Sequence, residues 1–378
     1  MEKSTDVLIV GGGLAGLASG IHLSRKGVRV TLIEKESYPR HKVCGEYISN
    51  EIIPYLSWLG IDITVLRPAK IDLFEFSSGA GTSVKAQLPL GGIGVSRYQL
   101  DNYLYEHAVK NGCTVVKDNV TTVVYANDGF VVTTPSDTYS SKIVLGAYGK
   151  RSGIDVSLSR TFIRRKSPWL AVKAHYKGNF PNDVVALHNF PGGYCGVSKV
   201  ENDIINICYL ADYETFKQFK NIEEYQQAVL YKNPLLKEIL SNSIPVFEKP
   251  LAISQISFDA KEPVEHHILM TGDTAGLIHP LCGNGMAMAI HSAKIASELT
   301  IDFLNGKLSR QELEDKYRAE WRHNFNKRLV MGRTLAKALR SPVLTKQLLK
   351  AVVLFPSILP ALIKQTHGKP IKIDAYGN

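Results

Sequence analysis

Hydrophobic and polar positions change their rhythm several times along the chain, and the first change is the clearest. Asp6-Val7-Leu8-Ile9-Val10 is an apolar run of buried-strand type that ends at glycine. Gly11-Gly12-Gly13-Leu14-Ala15-Gly16 reads as a tight turn, and Leu17 to Lys26 has helical character. That helix stops at Gly27, where glycine takes the left-handed conformation of a C-cap. Val28 to Ile33 is a second strand, ending at Glu34. Strand, glycine turn, helix and a second, parallel strand make a βαβ unit.

Beyond it, Tyr38 to Ser49 reads as a loop, Ile52 to Leu59 as a helical stretch, and Ile71 to Leu88 as strands. Tyr98 to Asn111 predicts a helix with Leu100, Leu104 and Ala108 on one face. Strands follow within Thr114–Val124, Phe130–Thr134 and Ile143–Ala147. Residues 165–260 are mostly strands, with one helix expected between Asn221 and Leu240. Ile268 to Met270 is a strand, Asn284 to Leu304 a long helix, and the remainder largely helical. The expected fold is α/β (α+β overall). Residues 1–65, 96–160 and 265–305 form a Rossmann-type dinucleotide-binding domain in discontinuous segments. Residues 66–95 and 161–264 form a mainly antiparallel substrate domain, and 306–378 a helical basic C-terminal region.

Composition sharpens this. A chain of 378 residues, 44% hydrophobic, is long enough for two cores. Its net charge of +10 resides entirely beyond residue 305, which disfavours a general nucleic-acid surface and favours an acidic membrane surface. Five scattered cysteines without CxxC spacing argue against a disulfide framework or a structural zinc, and fit a reducing compartment. The apolar start runs straight into glycines rather than a signal peptide, and no stretch reaches the roughly 20 apolar residues of a span. The expectation is a cytoplasmic protein, with peripheral membrane contact through 321–364 as one reading of the tail.

The candidate chemistry lies in two glycine motifs. In Gly11-x-Gly13-x-x-Gly16 the first glycine permits the turn, the second lets the backbone approach a pyrophosphate, and the third lets the helix lie close on the strand. Leu14 and Ala15 belong to the same helix N-terminus, whose free N–H groups and positive dipole end suit phosphate. Glu34 is placed for ribose hydroxyls and would repel a 2′-phosphate, with Lys35 beside it. The second motif is Thr271-Gly272-Asp273-Thr274-Ala275-Gly276, then Pro280-Leu281-Cys282-Gly283-Asn284-Gly285-Met286 opening a helix. A carboxylate for a polyol hydroxyl and a second helix N-terminus near a reduced ring fit FAD, bound non-covalently, and have no use in an NAD site.

On these residues the chain resembles the para-hydroxybenzoate hydroxylase-type flavoproteins, within them the geranylgeranyl reductase-like branch, over most of residues 5–305. The resemblance implies that Arg97, in Ser96-Arg97-Tyr98-Gln99-Leu100-Asp101, lies beside the flavin. It implies that Val120 offers a backbone group near adenine, and that Lys42 and Cys44, in Pro39-Arg40-His41-Lys42-Val43-Cys44-Gly45, belong to the cofactor site. Phe190-Pro191-Gly192-Gly193-Tyr194 resembles the branch's strand over the substrate cavity. The superfamily's Asp-Gly pair is replaced around Ala147-Tyr148-Gly149, which puts NAD(P)H as direct electron donor in doubt and leaves room for a separate reductant partner. The lack of Trp-x-Trp-x-Ile-Pro speaks against a halogenase.

Candidate catalytic residues are Cys44, His279 and Cys282, each set against a plain structural role; His41 and His291 are weaker proton donors. Trp321, Phe325, Leu329 and Leu335 predict one helix face, and Ala351–Ile363 is an apolar stretch broken by Pro356 and Pro360. It is read either as an interfacial element or as a core element over the substrate domain. The implied activity is hydride reduction of a carbon–carbon double bond in a small apolar, isoprenoid or conjugated substrate. The alternatives are an aromatic or polyketide hydroxylase and a non-catalytic flavin scaffold.

Overall fold

A computed structural model describes residues 3–373; residues 1–2 and 374–378, the two ends of the expected outer segments, lie outside the described residues. The expected mixed architecture is borne out in two sheets. In the first, the order is Val264–Glu265, Ile268–Met270, Thr138–Gly146, Lys3–Val10, Val30–Glu34 and Thr114–Lys117, with the hairpin Thr122–Ala126 and Gly129–Thr133 attached to Thr138–Gly146. From Ile268–Met270 to Thr114–Lys117 every neighbour is parallel, and the register pairs Val10 with both Ile33 and Gly146, Gly146 with Met270, and Glu34 with Lys117. All five parallel strands therefore end at one edge.

The second sheet has nine strands and is mainly antiparallel, with Val184–Phe190 parallel to Ala69–Ser77. Side chains alternate along Trp169–Lys177 as the pleat requires. Leu170, Val172 and Ala174 enter one core with the helices at 222–241, whereas Ala171 enters another with Leu187, Tyr194, Leu210, Leu277 and Leu349. Lys173 and His175 share the face of Ala171, so this face bears the polar groups that meet Glu46 and the Lys42 carbonyl.

Two local expectations are corrected. Within the presumed loop Tyr38–Ser49, Tyr47–Ser49 is a strand paired with Gly92–Gly94 of the second sheet; at three residues it is too short to show a period. The single helix expected between Asn221 and Leu240 is two, Ile222–Ala228 and Pro234–Ser241. Pro234 has no N–H for the preceding helix, and extended Asn233 caps the new one through Leu235 N–H at 3.0 Å.

The helix Arg310–Leu339 buries Leu313, Tyr317, Trp321, Phe325 and Leu329 in the core of the first sheet, Gly332 against Cys282, and Ala336 farther along the same stripe; Leu335 falls half-buried beside it. Its close approach needs Gly276, where a Cβ would stand 2.8 Å from the Trp321 ring. The last helices, Pro342–Leu354 and Ile358–Thr366, send Val352, Leu359 and Ile363 into a core with Tyr47, Ile71 and Leu88. Among the described residues no single helix is long and apolar enough to cross a membrane; Val343–Leu354 and Ile358–Thr366, bent by 117°, pass that test only as a pair.

Candidate active site

Because five parallel strands end together, their following loops gather at one edge, where open α/β sheets bind ligands. Gly11–Gly16, Glu34, Tyr148–Lys150 and Gly272–Asp273 end or follow adjacent strands of this sheet, and Val120 lies in the segment after Thr114–Lys117. Thr274 ties two of them, its Oγ1 accepting from Gly149 N–H at 2.8 Å. Gly272, at φ +57°, lies so close to the first helix that a Cβ there would stand 3.2 Å from the Ala15 Cβ. The two motifs, 261 residues apart between Gly11 and Gly272, thus make one site.

The glycines do different work. Gly11 has φ +104°, and a Cβ would meet the Ala147 carbonyl at 2.5 Å; a Cβ on Gly16 would stand 2.0 Å from the Gly11 carbonyl. At Gly13 the nearest atom to a Cβ is Arg97 Nη2, 4.0 Å away. The protein leaves that space free, and it is where a pyrophosphate would approach. Gly13→Ala is expected to fold with unchanged thermal stability yet bind FAD roughly ten-fold or more weakly, because its Cβ intrudes on ligand and not on protein. Titrating apoprotein with FAD checks this.

Both helices assigned to the cofactor lack the caps their neighbours have. Arg97–Lys110, Arg310–Leu339 and Pro342–Leu354 are capped by Ser96, Ser309 and Ser341. Leu14–Arg25 and Gly285–Leu304 begin at Gly13 and Asn284 with no side-chain cap and no acid in the first turn. Their N–H groups suit an anionic or electron-rich ligand. Asn284 is fully buried; its Oδ1 accepts from Arg328 at 3.0 Å while its Nδ2 has no partner among the described residues. The half-buried Asp273 carboxylate accepts no hydrogen bond from a described residue and stands in the field of Arg97. Val120 is buried, with its backbone polar groups in no described hydrogen bond. Glu34 is engaged, accepting from Gly12 N–H at 2.7 Å and Arg40 at 2.9 Å, while Tyr38 Oη donates to the Gly12 carbonyl at 2.6 Å. Lys35 is exposed and has no described partner.

These open donors, a free carboxylate and a vacated Cβ position fit FAD. Gly11–Gly16 and Glu34 would hold its adenosine and pyrophosphate, Asp273 its polyol, and Gly283, Asn284, Gly285 and Met286 its ring.

Arg97 stands over this site on a buried frame. Its Nε and Nη2 donate to both oxygens of Asp101 at 2.6 and 2.8 Å, and Lys42 donates to Asp101 at 2.7 Å. Burial alone would raise the Asp101 pKa, but Arg97 and Lys42 outweigh it and hold the carboxyl below its usual range. Next to it Glu46, also fully buried, accepts from the Arg97 N–H at 2.7 Å, from Lys173, and from His175 at 2.7 Å. Burial again opposes the charge, and His175 and Lys173 again win. Asp101 had a sequence signal in its helical spacing of four from Arg97. Glu46, Lys173 and His175 had none, being 127 and 129 residues apart. Lys261 was also missed; burial lowers it to about 8, and it donates to the carbonyls of Lys150 and Asp273 at 3.0 and 2.9 Å.

The three catalytic candidates separate. Cys44 Sγ lies 3.3 Å from Met286 Sδ, within the flavin loops and in the field of Arg97. Cys282 is buried; burial pushes its thiol up to about 12, and it faces Gly332, where a Cβ would stand 3.0 Å from Sγ. It is a packed thiol. His279 leaves the flavin loops for a cavity of about 790 Å³ lined by Trp169, Phe190, Pro191, Tyr194, Leu339 and Leu349. Its Nδ1 is 3.1 Å from Tyr194 Oη, its Nε2 is unpartnered, and burial lowers it to about 3. Tyr148 packs beside Gly146, its hydroxyl 3.5 Å from Met270 Sδ. His41, half-buried, stacks on Tyr98, and His291 packs edge-on to Phe325.

A dinucleotide cradle at a sheet edge, beside an apolar cavity on a second sheet, defines a flavin-dependent oxidoreductase. Residues 4–333 match the family described as FAD binding domain, and the chain belongs to it. It is 26% identical over 346 residues to a digeranylgeranylglycerophospholipid reductase of Methanosarcina acetivorans, covering 85% of this chain and 81% of that protein. It is 26% identical over 370 residues to conditioned medium factor receptor 1 of Dictyostelium discoideum, covering 89% and 71%. Among solved structures, a geranylgeranyl bacteriochlorophyll reductase-like protein of Thermoplasma acidophilum superposes with a TM-score of 0.76 at 19% identity, covering 97% and 100%. The flavin-dependent brominase Bmp2 does so with 0.78 at 18%, covering 96% and 93%. The expected resemblance to the geranylgeranyl reductase-like branch is borne out, and halogenases stand beside it.

Proposed function

We propose that this enzyme reduces a carbon–carbon double bond in an elongated apolar substrate of isoprenoid or conjugated type. The observation that carries the reading is the cavity: aromatic and aliphatic side chains make up much of its wall, polar and basic ones such as Asn189, Arg340, Lys346 and Lys350 line it as well, and the bonded pair Tyr194 and His279 lies within it, His279 four residues before Gly283. Bound FAD, once reduced, would supply the hydride. The protein's part is to hold the double bond in place, keep water out and furnish a proton. Burial raises Tyr194 well above its ordinary pKa, so its hydroxyl stays protonated, and neutral His279, with Nδ1 3.1 Å away, orients it. The reductases among the relatives support the same reaction class.

The test is an anaerobic one. Flavin reduced by dithionite, NADH or NADPH in separate samples is mixed with polyprenyl acceptors, and the product is weighed for added hydrogen. Tyr194→Phe is expected to slow acceptor reduction about 100-fold while flavin reduction is unchanged. The second reading, oxygen-dependent attack on an aromatic ring, is supported by Trp169 and Phe258 around His279 and by relatives that are halogenases. Substrate-dependent oxygen uptake with an oxygenated or halogenated product would replace the first reading by the second.

A further inference from the structure

We infer that the exposed face of the helix Pro342–Leu354, with the turn that follows it, docks on an anionic lipid bilayer and holds the cavity mouth against it. Among the described residues sixteen large apolar side chains are exposed, and five of them fall in one 13-residue stretch: Val343, Leu344, Val353, Leu354 and Phe355, the last two at 72% and 62%. Scattered exposure is ordinary on a protein surface, but a cluster of this kind marks an interaction site. Val352, Leu359 and Ile363 of the last two helices cover the second sheet, so this face remains after the core has taken what it needs.

Charge identifies the occupant. No Asp or Glu occurs between Trp321 and Ile373. Lys337, Lys346 and Lys350 are exposed and form no ion pair with a described residue. Apolar side chains flanked by free cations are what an interfacial element presents to acidic headgroups. Two helices of 13 and 9 residues bent by 117° suit lying in an interface rather than crossing it. A second copy would bring the same positive patch against itself, which is repulsive. The placement also has a use: Lys346, Lys350, Val353 and Leu354 line the cavity mouth. An apolar substrate would pass from bilayer to cavity without crossing water.

The experiment is flotation of the FAD-loaded protein with vesicles of phosphatidylcholine alone or mixed with phosphatidylglycerol, at low and high salt. Binding is expected only to the mixed vesicles and to weaken with salt. Leu344→Ser with Phe355→Ser, and separately Lys346→Glu with Lys350→Glu, should each lower the partition roughly ten-fold or more. Flavin content and unfolding temperature of each variant show that it is folded. No binding at low salt, binding unmoved by both variants, or a stable dimer that Phe355→Ser dissolves would each overturn the inference. Flotation involves no turnover, so failure of the proposed reaction would leave this result standing, and the reverse also holds.

Discussion

Replacing Asp101 by alanine is expected to cost the protein both its flavin and about 3–5 kcal/mol of stability. Asp101 is fully buried and is the shared acceptor of Arg97 and Lys42. Its removal leaves Arg97 and Lys42 without the counter-charge they share and bond, and that is worse than never having buried the pair. Arg97 would move to find another acceptor, and Gly13 and Asp273 would lose the group that faces them. Such a loss is a large share of the roughly 5–15 kcal/mol that keeps a domain folded. Urea unfolding and the absorbance of the purified protein report the two effects. Adding Lys42→Met to Asp101→Ala should restore part of the stability and none of the cofactor. If Asp101→Ala retains both FAD and its midpoint, the frame is not what holds Arg97.

Acid should unfold the protein earlier than its carboxylates alone require. His22, His188 and His279 are 2%, 1% and 3% exposed, and burial, first among the causes at each, lowers them to about 3, 4 and 3. In the unfolded chain histidine titrates near 6.5. A neutral folded histidine therefore contributes its stability fully above pH ~6.5 and loses it as pH falls toward the folded values. At pH ~5 each of the three costs about 2 kcal/mol, about 6 in sum. Even half of that would be felt. Melting temperature is expected to be flat from pH ~8 to ~7 and to drop steeply below ~6. A flat profile down to pH ~5 would mean these rings are charged in the folded state.

The sequence was most legible where chemistry is local. The first βαβ unit announced itself because a glycine turn, a helix cap and an acidic strand end all fall within thirty-odd residues, each with its own steric reason. The second motif was legible as a helix N-terminus, but its nearness to the first was not, since it depends on Gly272 touching Ala15 across the chain. Arg97 was found through resemblance; its buried frame was not, because Glu46, Lys173 and His175 look like ordinary charged residues until strand alternation turns two of them inward. The tail shows a different limit. Its apolar pattern foretold helices, yet helical period alone cannot say that Val352, Leu359 and Ile363 would be covered while Leu354 and Phe355 would not.

The parallel sheet has a consequence for how the chain is made. Its first strand, Lys3–Val10, lies between Val30–Glu34 and Thr138–Gly146, and Thr138–Gly146 in turn needs Ile268–Met270 beside it. On the ribosome, the glycine turn and Glu34 have emerged by residue 34, but the edge that would hold the flavin ring is still more than 230 residues from synthesis. The intervening antiparallel sheet must close first, or be held apart, before the last parallel strand can slot in. Nascent chains stalled before Met270 should therefore remain protease-sensitive and colourless, and the appearance of bound flavin would time the final closure.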